Sequence, residues 1–264
     1  YTKPEYHYNA NLYAKRVYNG WGHAEPETEL RFGPNIKDWP EMPALTDDLL
    51  VKVCSYITDP VTTTDELIPS GETSSYRSNP ERLSEFALSR RDPQYVSRSK
   101  EVRQIERDRE AGKALPEEVR NVYAALTKAG VKNDPAHTDI GSTIFANMPG
   151  DGSAREQAAS CQRVMGASAN FAKQYATKRY RSNCINWGMT PFLVENPEVF
   201  ALGDYIFIPG LRQAVLENKA SFSAYVVKAD GMVTEFPVST GALTEPERQI
   251  IADGCLINYY RNNQ

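Results

Sequence analysis

The sequence predicts an α/β fold: a central mixed sheet or small barrel flanked by helices. Three observations predict it. The stretch GSTIFANMPGDGSAREQAASCQRVMG (residues 141–166) reads strand, turn, helix, the unit from which α/β sheets are assembled. Three later runs, YIFIPG, SFSAYVVKA and MVTEFPV, are strand-like and separated by Gly, Pro and Asp turns, close enough to pair locally. The chain closes on TEPERQIIADGCLINYYR, a helix with Thr244 at the N-cap and Glu247 three residues on, the spacing of a capping box.

Residues 1–45 come first, rich in Tyr, Pro, Asn and Gly and punctuated by Pro26, Pro34, Pro40 and Pro43. They hold no helical or strand period. With Trp21, Trp39 and several tyrosines they are too aromatic for an ordinary disordered tail, and read as an extended linker anchored on a neighbouring surface. Residues 46–264 read as the folded domain. LLVKVCSYI (residues 49–57) has a β-branched strand composition with partial alternation, and a loop dense in Thr, Ser, Gly and Pro follows. Residues 80–130 turn helical and heavily charged with mixed sign, which reads as an insert of solvated helix faces carrying no site. Residues 142–146 form a short apolar strand, and Pro149 with the glycines after it makes a turn. A helix then opens near Ser153, with Ala154, Ala158, Cys161 and Met165 on one buried stripe. SANFAKQYATKRYR (residues 168–181) carries Phe171, Ala172, Tyr175 and Ala176 at similar spacing and reads as a second helix.

Composition narrows the function classes. The 264 residues carry 30 Lys+Arg against 34 Asp+Glu, a net charge of −4, with 41% apolar and 24% charged residues. At about 150 residues per domain this is one or two globular domains. The acidic balance argues against a general nucleic-acid binder. No apolar run approaches the roughly 18 residues of a membrane helix. The start has neither Met nor the apolar core of a signal peptide, as expected of a processed or excised piece of something longer. Cys54, Cys161, Cys184 and Cys255 show no CxxC spacing, and His7, His23 and His137 form no HxH or HExxH pattern, so no metal site is expected in this chain. The cysteines read as small core hydrophobes in a reducing compartment, the cytoplasm or a mitochondrial matrix.

Two local features could carry chemistry. In Gly150-Asp151-Gly152-Ser153-Ala154-Arg155-Glu156 the glycines permit a tight turn and close ligand approach. The free N–H groups and positive dipole end of the helix behind them favour an anion. Arg155 adds a planar fork matched to carboxylate or phosphate, and the Ser153 hydroxyl lies beside it. Helix capping alone would also select Gly-Ser at such a start. The run is neither a P-loop nor GxGxxG, which disfavours an independent nucleotide-binding enzyme. The second feature is the loop from Thr63-Thr64-Asp65-Glu66 to Arg77, hydroxyls and a carboxylate followed by a cation.

Together the two resemble a known family. GDGSARE is similar to the GEGSSREHA signature in the last domain of the aconitase family of hydro-lyases. TTDELIPSGETSSYR is similar to that family's TTDHISAAG…R segment, with the same number of residues between Thr-Thr-Asp and the arginine. FGPNIKDWP…LLVKV and the closing helix add diffuse likeness, in the family's order over residues 30–260; residues 80–130 match poorly.

The resemblance implies a swivelling β/β/α domain with its preceding linker, closing over an active site shared with other domains. The [4Fe–4S] cluster and several acid–base histidines would belong to those absent domains, which become the chain's intramolecular partners. No cofactor is expected in this chain, and no nucleic-acid or membrane partner. The implied activity is reversible dehydration and hydration of a hydroxy di- or tricarboxylate, and the chain alone would be inactive. By position, Ser153 would be the catalytic base, Arg77 and Arg155 would clamp substrate carboxylates, Ala154 would offer its backbone N–H, and Asp65 would hydrogen-bond within the site and orient neighbours. Ala154 replaces the family's second serine, Gln157 its usual His, and Glu66 the His after Thr-Thr-Asp. Such losses shift specificity as much as rate, so a hydroxy acid related to citrate is as much expected as citrate itself. The alternative is a non-catalytic anion-binding or interaction domain on the same fold. Whether Arg77 and Arg155 converge on one pocket with Ser153 discriminates the two.

Overall fold

The computed structural model describes residues 1–16 and 19–263. Contacts divide the chain into two units, Tyr1–Pro34 and Asn35–Gln264. The first holds one short helix, α1 (Ala10–Ala14), capped by the Asn9 side chain, which accepts from the Asn11 N–H. Nothing in α1 is buried, and Tyr8 stacks on Tyr13 at 5.7 Å. Val17 and Tyr18 of the expected linker lie outside the described residues.

The second unit begins its regular structure with β1 (Asp48–Ile57), as its β-branched composition predicts. Leu49, Val51 and Val53 face one core while Leu50 and Cys54 face another. The pairing register slips between Val53 and Ser55, a bulge that turns the strand's end. After β2 (Thr62–Thr63) and α2 (Thr64–Leu67) come α3 (Pro80–Ser84), α4 (Tyr95–Glu110) and α5 (Glu117–Lys128). They lead to β3 (Thr138–Ala146), which pairs parallel with β1. Parallel strands need a long crossover between them, and the charged segment is that crossover rather than a solvated insert. Within it α4 buries Tyr95, Ser99 and Val102, and α5 buries Val119, Val122, Tyr123 and Leu126. The mixed-sign charges fill the remaining faces.

Next follow β4 (Pro149–Asp151), α6 (Arg155–Val164), β5 (Ala167–Ala172), α7 (Lys178–Asn186) and β6 (Thr190–Leu193). The second helix expected from residue 168 starts only at Lys178, behind a Thr177 cap whose side chain accepts from the Tyr180 N–H. Residues 167–172 are instead the strand beside β3, paired with it from Ser142↔Ala167 to Ala146↔Ala172. Their small and aromatic side chains satisfy either period, and parallel pairing decides in favour of strand. The remaining elements are β7 (Tyr205–Ile208), α8 (Leu211–Leu216), β8 (Phe222–Val227), β9 (Val233–Val238), α9 (Glu245–Asp253) and α10 (Leu256–Asn262). The late strands pair antiparallel as their spacing predicts. The capping box of Thr244 and Glu247 is formed, and Gly254, at φ +91°, breaks the closing helix in two.

The seven-stranded sheet runs β6-β5-β3-β1-β7-β8-β9. Its two edges are joined at one point: the Leu193 N–H donates to Ser239 O at 2.7 Å, and the Ser239 N–H returns the bond at 3.2 Å. The mixed sheet thus curls toward a small barrel. One face packs Phe145, Phe171, Phe192, Phe207's neighbours Ile206 and Ile208, and Phe236 with α8 and α9. The other lies under the crossover helices. All four cysteines are free and buried.

Candidate functional site

The loops after β1 and β3 leave the sheet at the same end because the strands are parallel neighbours. There β2 and β4 form a two-stranded parallel pair, Thr62 opposite Pro149 and Thr63 opposite Asp151, and the Thr62 N–H donates to Met148 O at 3.0 Å. This pair joins the Thr-Thr-Asp loop to the GDGSARE loop. The glycines make the approach possible. Gly150 has φ +96°, and a Cβ there would lie 2.3 Å from the Tyr180 ring. Gly152 has φ +128°, and a Cβ there would lie 2.3 Å from Thr64 Oγ1. Any side chain at Gly152 would push the two motifs apart.

Beyond Gly152 the backbone enters α6. Its N-cap is Ala154, with no side-chain cap, so the first-turn amides are not satisfied by a neighbouring hydroxyl. Ser153 is exposed and does not cap the helix. Ser153, Ala154, Glu156 and Gln157 line a shallow, solvent-open cleft of about 320 Å³, bordered on the other side by Ser70 and Arg77. Arg77 follows the single turn Ser74–Tyr76 and has no ion-pair partner among the described residues. The cleft therefore combines a free cation, unfilled helix amides and a free hydroxyl, a setting that favours a carboxylate.

Of the residues expected at the site, Arg77, Ser153 and Ala154 come together and two do not. Arg155 is half-buried and off the cleft lining, its Nε buried without a hydrogen-bond partner. Arg155 is the first residue of α6 and stands between Ala154 and Glu156, which line the cleft, without lining it itself. Asp65 is likewise outside the lining and ion-paired with Arg90, which also holds Glu72 at 2.5 Å. Glu66 is tied into the α2 capping box: its Oε2 accepts from the Thr63 N–H at 2.7 Å, and its N–H donates to Thr63 Oγ1 at 3.2 Å. Sequence reasoning passed over Ser70 and Glu156. Ser70 lies in the same Thr/Ser/Gly loop as Arg77, and Glu156 within the signature itself, so proximity in sequence was the available signal.

The described residues include no group of three His, Cys, Asp or Glu side chains able to hold a metal ion. Burial pushes the Cys54 and Cys184 thiols up to about 12 and the Cys161 thiol higher still. The cysteines lie on separate elements, Cys54 on β1, Cys161 on α6, Cys184 on α7 and Cys255 just before α10, and no three of them gather as cluster ligands would. A groove of about 740 Å³ lies elsewhere, between residues 39–44 and 257–262, lined partly by Arg107 and Trp187. No helix is long and apolar enough to cross a membrane among the described residues.

No protein-family model matches the chain, and no curated protein matches it. Among solved structures it is similar to a 3-isopropylmalate dehydratase of Methanocaldococcus jannaschii, with 19% identity and a TM-score of 0.47 over 81% of this chain and 95% of that one.

Proposed function

We propose that this chain is the substrate-binding C-terminal swivel domain of an aconitase-like hydro-lyase. It would act on a hydroxy di- or tricarboxylate and be incomplete without the iron–sulfur-bearing domains. The observation that carries this reading is the union of the two signature loops, through β2, β4 and the Gly152–Thr64 approach, around one cleft. Their resemblance to the family's motifs supplies the reaction class.

In this reading a substrate carboxylate enters the cleft against the open α6 amides and the Arg77 guanidinium. Ser153 then takes the proton from the carbon α to that carboxylate. A hydroxyl is a poor base, and its alkoxide needs nearby N–H donors and positive charge, which the helix tip and Arg77 supply. Binding between these groups also fixes orientation. Arg155 serves as a second clamp only if its side chain turns into the cleft that it does not line here. Asp65, through Arg90, orients the loop that carries Arg77.

The test joins the chain to its cluster-bearing domains and follows alkene absorbance over a panel of hydroxy di- and tricarboxylates. The chain alone is expected to be inactive. Ser153→Ala is expected to lower turnover roughly 10²–10⁴-fold with folding intact. Near-normal turnover in that variant overturns the base assignment. The position of Arg155 favours a second reading, a non-catalytic anion-binding domain. In that case Arg77→Ala abolishes malonate binding by the chain while no panel member is turned over.

A further inference from the structure

Glu156 occupies the first turn of α6 and is one of the residues that line the cleft with Arg77 and Ser153. A carboxylate there is drawn toward the open helix amides and toward a cation that has no ion-pair partner among the described residues. Folded inward, it would imitate the ligand and fill the site. It is held outward instead: Trp187 Nε1–H donates to Glu156 Oε1 at 3.0 Å. Trp187 caps the C-terminal end of α7, and its ring lies against Trp39 with centroids 4.3 Å apart.

Trp39 in turn belongs to a strap stitched onto the helix ends. Asn258 Nδ2–H donates to Met42 O at 2.6 Å, and the Leu45 N–H donates to Ala252 O at 3.1 Å. Gly254 lets the strap pass, since a Cβ there would lie 2.1 Å from Pro43 O. Gly188, next to Trp187, meets the same turn, where a Cβ would lie 1.9 Å from Gly254 O. Strap, turn and indole are thus interlocked, and the far end of that chain of contacts is the cleft.

We infer that Trp187, seated by Trp39, is a positioning residue that holds the Glu156 carboxylate away from Arg77 and the α6 amides and so keeps the cleft open to an external carboxylate. The inference rests on the carboxylate-binding reading above for its ligand.

The experiment uses the chain labelled with ¹⁵N, with indole signals assigned through Trp21→Phe, Trp39→Phe and Trp187→Phe. Glu156→Gln is expected to shift the Trp187 indole N–H signal. Malonate affinity is expected to fall about tenfold in Trp187→Phe and to return to within about twofold of the parent in Trp187→Phe/Glu156→Gln. A purely structural role would not be rescued by removing a charge. Undiminished affinity in Trp187→Phe, or a double variant as weak as the single, overturns the inference. If the parent chain binds no malonate, the carboxylate reading fails and the Arg77 Nε–H signal decides the inference separately. That signal moves in Trp187→Phe and reverts on adding Glu156→Gln if Glu156 swings onto Arg77, and stays fixed if the inference is wrong.

Discussion

Replacing Gly152 by alanine tests the junction on which the site depends. Its φ of +128° is one that side-chain-bearing residues rarely adopt, and holding alanine there costs about 1–3 kcal/mol. The added methyl would also stand 2.3 Å from Thr64 Oγ1, roughly 1 Å inside ordinary contact. Relieving that overlap costs a further ~1–3 kcal/mol, or parts β4 from β2. Gly152→Ala is therefore expected to lower stability by about 2–6 kcal/mol, several degrees or more in Tm for a unit of this size, and to weaken malonate binding with it. Thr64→Ala removes the oxygen but not the backbone strain. In the double variant Thr64→Ala/Gly152→Ala about 1–3 kcal/mol of the loss should return. Urea unfolding of the four proteins closes the cycle. If the two substitutions prove additive within about 0.5 kcal/mol, Thr64 and Gly152 do not touch, and the cleft built on their contact is wrong.

Other expectations follow from single contacts. Arg77→Ala should abolish malonate binding yet change stability by less than about 0.5 kcal/mol in urea, because the side chain is exposed and unpaired among the described residues. Thr244→Ala, which removes the acceptor for the Glu247 N–H, should cost about 1 kcal/mol in the same assay. Burial raises the Asp139 carboxyl above its ordinary 3.8, against the opposing pull of the Thr46 N–H and Arg109. A raised carboxyl favours the folded chain in acid, and that contribution is lost as pH rises through the folded-state value. The stability of Asp139→Asn relative to the parent should accordingly increase from about pH 4 toward neutrality, and a flat difference refutes the assignment. The four buried thiols should resist a thiol reagent until urea unfolds the chain; fast reaction of Cys54 or Cys184 in the native state contradicts their burial.

Local chemistry alone determined a good deal of this protein. Strand composition in residues 49–57, the short runs near 205, 222 and 233, and the Thr244–Glu247 capping box each express preferences that neighbouring residues enforce on one another. The same holds for the glycines of GDGSARE, which announce a backbone that something must approach closely. Tertiary structure decided the rest. Ala167–Ala172 has side chains that suit a helix stripe or a buried strand equally, and the hydrogen-bonding edge of β3 settles which. The charged stretch beyond residue 80 looks like surface until a parallel pair needs spanning, when its sparse apolar residues become the buried faces of α4 and α5. Arg77 and Ser153 meet because β1 and β3 are parallel neighbours that release their loops at one end. Arg155 and Asp65, in the same two loops, do not line the cleft, and Asp65 is held by Arg90. Spacing along a chain fixes which residues share a turn, but side-chain direction depends on which groups arrive from elsewhere to pair with it, and those arrivals are set only when the sheet has closed.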